Sequence, residues 1–252
     1  MSYYDNHLGA TFTYSPDNHW RTYRDLKLFP REKPIISPPA VKRLTVDIPG
    51  ADGALDYTQS LTGDVHYKNR KGIFRYSYFG KREAWDSIYH KILANFHGQN
   101  MKIELDEDSG GYYYGRVFVQ DPQYDRDGKM FLEIEADLEP YKVENWSTVE
   151  PWIWDEFNFE TGVIREYYDI ALSGTTDVRI IGSKMPVYPD IIVKSGSGLS
   201  VKYYVDGVAK TVSLVSGSNK TRTPDLVLRY EIKTLQFTGT GVVDIDFNGG
   251  TL

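Results

Sequence analysis

Five histidines, His7, His19, His66, His90 and His97, are the side chains of this 252-residue sequence best suited to hold a transition metal or relay a proton. No two stand four apart around a glutamate, the spacing that sets two imidazoles against one zinc on a helix. His90 and His97 share a helix face but lie about two turns apart, too far to meet one ion. Cysteine is absent, which removes thiol nucleophiles, thiolate-ligated zinc and disulfides. The acidic run Asp106-Glu107-Asp108 offers oxygens to a hard cation, but it falls between two strand-like segments, where a solvated turn is expected. In QYDRDGKMFLEI, Asp125, Asp127 and Gly128 occupy three positions of a calcium-binding loop, yet Gln123 and Ile134 stand where its first ligand and its bidentate glutamate belong. Asp127-Gly128 suits a hairpin turn instead.

Other chemistries fare no better. There is no G-x-S-x-G elbow, no phosphate-binding G-x-x-x-x-G-K-[ST] loop and no G-x-G-x-x-G after a strand; Ser195 to Ser200, SGSGLS, reads as a flexible loop. With 35 acids, pairs of carboxylates suited to glycoside hydrolysis arise by abundance alone. The expectation is a protein with no catalytic residue, no metal and no cofactor. One cluster remains open to a ligand: Trp146, Trp152 and Trp154, with Phe157 and Phe159, could stack on sugar rings or bury against a neighbouring core.

The elements around these residues read as mainly β. Tyr is used 20 times and aromatics make up 14% of the chain, which favours pleated, half-buried surfaces. Before residue 40, prolines at 30, 34, 38 and 39 predict an arm or long loops. Val41 to Ile48 alternates as a strand, and GIFRYSYFG places Phe74, Tyr76 and Tyr78 on one face; both are expected in a sheet. Trp85, Ile88, Tyr89, Ile92, Leu93 and Phe96 make one helical stripe near 82–97, and Gly98 follows where a left-handed cap is wanted. Strands resume through KMFLEIEADLE, where Met130, Leu132, Ile134, Ala136 and Leu138 alternate with Phe131, Glu133, Glu135 and Asp137. The pattern lapses over YKVENWSTVEPWIW, so residues 1–145 are expected as an N-terminal β domain with one helix and 146–252 as a C-terminal β-sandwich. Within the latter, VKYYVDGVAKTVSL is a hairpin turning on Asp206-Gly207.

The net charge is −6, divided evenly as −3 on each side of residue 145, and no long run of Lys or Arg occurs. Such a field repels phosphate backbones, so specific nucleic-acid binding is not expected. No segment approaches about 18 apolar residues, and the N-terminus lacks the basic and apolar regions of a secretory signal, so a soluble protein made in a cytoplasm is expected.

Four short motifs in order carry a resemblance. Pro49, Gly50, Asp52, Gly53, Leu55 and Asp56 form a PG-x-DG-x-LD turn; Asn69-Arg70 precedes a strand; His97-Gly98 closes the helix; Tyr112, Tyr114, Gly115 and Arg116 form a YY-x-GR strand. From about Ala10 to Leu138 the chain resembles the distal tail proteins of long-tailed, non-contractile bacteriophages and prophages. It departs from many of them at Ala51, where a basic residue is common. The resemblance implies a structural hub: a hexameric ring at the tail tip, built by the N-terminal domain. It joins the tail-tube protein to tail-tip or baseplate proteins, in the virion tail and away from any membrane, with a galectin-like or carbohydrate-binding-like C-terminal sandwich. On that basis Pro49, Gly50, Asp52, Gly53, Leu55 and Asp56 are candidates for the subunit interface, and Glu133, Glu135 and Asp137 for the channel lining. The alternative is a carbohydrate-binding module that attaches the phage to host cell-wall glycan through the C-terminal domain, with Trp146, Trp152 and Trp154 as contacts.

Overall fold

Period-two alternation, which places every second side chain on one face of a strand, governs most of this molecule. The computed structural model describes residues 9–60, 62–78, 80–126, 129–150 and 164–252. It divides into two compact units, Met1–Lys142 and Val143–Leu252.

In the first unit, β1 (Ala10–Ser15) and β2 (Asn18–Arg21) form a hairpin, and α1 (Thr22–Leu26) leads into β3 (Leu28–Pro30) and β4 (Ile35–Ile36). A separate hairpin follows, β5 (Thr45–Asp47) with β6 (Ala54–Asp56). Then come β7 (Arg70–Tyr78), α2 (Trp85–Phe96), β8 (Asn100–Leu105), β9 (Asp108–Val119), β10 (Gln123–Tyr124) and β11 (Met130–Leu138). The main sheet runs β2-β1-β8-β9-β11-β7-β3, with β10 beside β11 and β4 beside β7. Its apolar face collects Phe12, Phe74, Tyr76, Met101, Ile103, Val117 and the alternating set Met130 to Leu138, all buried. Ile92 and Phe96 of α2 complete that core.

The sheet is strongly curled. Four strand spacings separate β1 from β7, about 19 Å if the sheet were flat, yet the rings of Phe12 and Phe74 lie 5.3 Å apart, edge to face. Phe96 meets Phe12 at 5.1 Å, so the helix fills the mouth of a half-barrel. Gly98 has the positive φ its position predicts, +77°. Its N–H, however, donates to Val117 O across the fold, which ties the helix end to β9, while His97 N closes the last turn onto Leu93 O.

Two expectations for this unit are overturned. Residues 10–30 are a hairpin, a short helix and an edge strand, not long loops: Ala10 and Phe12 are buried, and Pro30 stands in edge strand β3, where a missing N–H is tolerated. The strand predicted from Val41 to Ile48 shrinks to Thr45–Asp47 and leaves the main sheet for its own two-stranded hairpin. Alternation shows that a strand has two faces, but it does not say which sheet receives it. The hairpin turn expected at Asp127-Gly128 lies outside the described residues.

The second unit holds β12 (Lys142–Ser147), β13 (Ile170–Leu172), β14 (Thr175–Ile181), β15 (Asp190–Val205), β16 (Val208–Ser213), β17 (Gly217–Ser218), β18 (Ile232–Asp246) and β19 (Asn248–Thr251). Strands order as β13-β18-β15-β16, with β14 also on β18, β17 also on β15, and β12 paired with β19. At 16 and 15 residues, β15 and β18 are long enough to serve both halves of a sheet folded over its own core. The segment expected as a flexible loop, Ser195 to Ser200, is the bend itself: the β15–β18 register shifts between Val193 and Ser195 and again between Ser197 and Ser200. Gly196 takes φ +106°, and a Cβ there would overlap Thr240 O. On either side the same face is buried, Ile191 and Val193 before the bend and Leu199, Val201 and Tyr203 after it. Asp206 and Gly207 both adopt positive φ, 49° and 78°, as the hairpin turn requires.

The tightest approach in the first unit is Gly115 of β9, where a Cβ would overlap the Asp137 carbonyl of β11. Gly115→Val is expected to destabilise the protein by about 3 kcal/mol, read as a lowered midpoint in urea. Gly53→Ala, whose only obstacle is positive φ in open space, should cost about 1 kcal/mol.

Candidate functional site

Two hydrogen bonds flank the β5–β6 ladder and fix the base of the hairpin: Tyr57 N donates to Leu44 O at 2.7 Å, and Leu44 N donates to the Thr58 side-chain Oγ1 at 3.1 Å. Asp56 accepts from Thr58 N at 2.8 Å. Bonds from the Thr58 hydroxyl and N–H, helped by the nearby Arg43 charge, hold its carboxyl below the usual carboxylate range. At the tip, Gly50 and Gly53 have φ of +83° and +77°, with open space where a side chain would stand. Within the chain these glycines serve the turn, not a close approach.

Register decides what this hairpin presents. Val46 faces Leu55 across the ladder, so Leu44, Val46, Ile48, Leu55 and Tyr57 share one side, while Thr45, Asp47, Ala54 and Asp56 share the other. All five of the former are 40% to 48% exposed. The apolar face is therefore open to solvent at all five positions. Pro49, Gly50, Asp52 and Gly53 are exposed at its tip, so the six candidate interface residues do lie together on one projecting element. Sequence reasoning misses its apolar partners Leu44, Val46, Ile48 and Tyr57; the alternation of the first three is visible from Val41 to Ile48, but it points to one sheet with GIFRYSYFG, and nothing in the pattern singles out Tyr57.

The other three motifs act inside the fold. The Arg70 guanidinium donates to Pro140 O and stacks over the Tyr113 ring, 5.2 Å from its centroid. Burial pulls the Arg70 pKa down, with the Tyr113 interaction opposing. Arg116 Nη1 donates to Gly98 O at 2.5 Å, and the His97 imidazole accepts from Val119 N at 3.2 Å through Nδ1. The NR, HG and YY-x-GR motifs thus clamp β7, the end of α2 and β9 to one another.

Glu133, Glu135 and Asp137 share the face of β11 opposite the core, as the alternation predicts. They are not a bare acidic strip. Arg75 bonds Glu133 at 2.6 Å through Nε and Glu32 at 2.6 Å through Nη1, and Lys71 bonds Glu135 at 2.7 Å. Those bonds, Glu133 first, push the Arg75 pKa up. Asp137 is exposed, with Lys71 and Arg116 opposite it on the two flanking strands. The face alternates in sign because the cations arrive on β7 and β9, segments distant in sequence.

Of the tryptophans considered for glycan contact, Trp146 is half-buried in β12, and Trp152 and Trp154 lie outside the described residues. Asp106-Glu107-Asp108 is an exposed turn whose Glu107 pairs with Lys33 at 3.0 Å and whose Asp108 pairs with Lys142. No cluster of three or more potential metal ligands occurs among the described residues. No helix among them is long and apolar enough to cross a membrane.

No protein-family model matches the sequence, and no curated protein does either. Among solved structures, the chain is similar to the Dit protein (gp 19.1) of phage SPP1, whose crystal structure is presented as a paradigm of the hub adsorption apparatus in Gram-positive infecting phages. The TM-score is 0.59 at 14% identity, over 96% of this chain and 99% of that one. The fold is that of Dit.

The buried Arg70 is where the clamp can be tested. Arg70→Met keeps the stem and loses the bond to Pro140 and the stacking on Tyr113, and should destabilise the protein by about 2 kcal/mol. Calorimetry would detect the loss as a lowered Tm without a change in far-UV circular dichroism.

Proposed function

We propose that this chain is a structural hub protein of a bacteriophage tail, one subunit of a six-fold ring. The ring joins the tail tube to the tail tip or baseplate and surrounds the DNA channel. The observation that carries the reading is the β5–β6 hairpin, an element with five apolar side chains on one face, each 40% to 48% exposed. An apolar face of this kind calls for a protein partner. A second copy of the chain is the partner a ring supplies: each copy extends its hairpin onto the next, a head-to-tail contact that closes by rotation. The Dit fold supports the same reading, since the SPP1 protein that shares it is presented as a paradigm of a phage hub adsorption apparatus.

Chemistry follows from shape. The reading is non-enzymatic, with assembly in the host cytoplasm and residence in the virion tail. Glu133, Glu135 and Asp137 line the channel as part of a face whose Lys71, Arg75 and Arg116 are matched by acids. Such a face offers DNA no excess of positive charge to bind, so the duplex passes without sticking.

The double variant Val46→Asp, Leu55→Asp places charge on the hairpin face without touching the core. It is expected to fold with an unchanged melting profile yet fail to form the ring, read by light scattering and by imaging of a central hole, with tail-tube and tail-tip proteins present. A variant that still assembles normal tails would sink the reading.

A further inference from the structure

At the start of α2 the chain forms a cleft of about 430 Å3 lined by Arg82, Trp85, Asp86, Tyr124, Asp125 and Arg126. Its floor is a pair of aromatic rings. Trp85 and Tyr124 stack at 5.0 Å with 17° between their planes. Trp85 is 6% exposed and Tyr124 49%, so the tyrosine overlies the indole and leaves its other side to solvent. The Arg82 guanidinium stands 5.7 Å from the Trp85 ring. Trp85 Nε1, a buried donor, has no hydrogen-bond partner among the described residues.

The walls are two guanidiniums and two carboxylates. None of Arg82, Asp86, Asp125 and Arg126 enters an ion pair within 4.0 Å among the described residues. Among the described residues, Asp125 Oδ1 accepts from the Arg126 backbone N–H at 2.6 Å. Four planar, bidentate groups thus line an exposed aromatic face, all of them open to solvent and available to a ligand.

That combination selects a ligand class. An exposed ring face favours a partner with an apolar face of its own, and planar carboxylate and guanidinium groups suit adjacent hydroxyls, which both donate and accept. Two positive and two negative groups cancel, which disfavours a phosphate or an ammonium as the occupant. The volume lies within the ~300–1,000 Å3 of small-molecule sites. We infer that the Trp85–Tyr124 cleft binds a neutral saccharide, whose pyranose ring lies on Tyr124 and whose hydroxyls reach Arg82, Asp86, Asp125 and Arg126. The inference stands apart from the hub reading and needs no ring.

The test uses the full chain and three neutral probes: cellotriose, maltotriose and chitotriose. Trp85 supplies one of five tryptophan indole N–H resonances, identified by its loss in Trp85→Phe. At least one probe should shift that resonance saturably. Tyr124→Ala should weaken the binding about tenfold, the loss of one aromatic stack, and Tyr124→Phe should preserve it. Should Tyr124→Ala unfold, Arg126→Gln on the cleft rim replaces it, with the same weakening expected. The inference is overturned if no trisaccharide gives a saturable shift, if the shift survives both Tyr124→Ala and Arg126→Gln, or if inorganic phosphate displaces the bound sugar at equal concentration.

Discussion

Phe12, Phe74 and Phe96 meet at the centre of the first unit, and their contact constrains everything around them. Rings on β1 and β7 can touch only if the three strands between them wrap around a common axis. A sheet bent that far exposes its concave face along one open side, and α2 occupies that side with Ile92 and Phe96 buried against the rings. The bend also brings backbones close, which explains the size of particular residues. Gly72 sits where a Cβ would press on Leu138 and Phe74, and Gly115 where one would meet the β11 backbone.

Once the concave face is filled, the motifs gain a physical meaning. Arg70, His97, Gly98 and Arg116 are polar or small residues that finish backbone hydrogen bonds at the ends of curved elements, where a regular ladder leaves carbonyls and N–H groups without partners. Their charge and aromaticity look chemical in a sequence, and in the fold they are structural. The PG-x-DG-x-LD motif differs, because among the described residues its bonds stay within its own hairpin and the Thr58 beside it.

Legibility in the sequence followed locality. The stripe from Trp85 to Phe96, the alternation from Met130 to Leu138 and the turn at Asp206-Gly207 were readable because each depends on residues a few positions apart. The charge-paired face of β11 was not, since Lys71, Arg75 and Arg116 become neighbours of Glu133, Glu135 and Asp137 only through strand order. The cleft at Trp85 was hidden for the same reason: Tyr124 stacks there from a strand well downstream of the helix. Ser195 to Ser200 misled in the opposite direction, because glycine and serine suit a loop and a strand bend equally.

The two long strands of the second unit set an order of events during synthesis. Strand β18 is the common neighbour of β13, β14 and β15, so β14 cannot finish pairing before residue 238 has left the ribosome, β13 before residue 243 and β15 before residue 246, and the β12–β19 pair forms later still. The first unit, by contrast, has every strand of its sheet from β1 to β11 in hand by residue 138. Domains generally fold as units in the order they emerge. A nascent chain would therefore carry a finished half-barrel, its greasy hairpin already on display, while the remainder was still an unpaired thread.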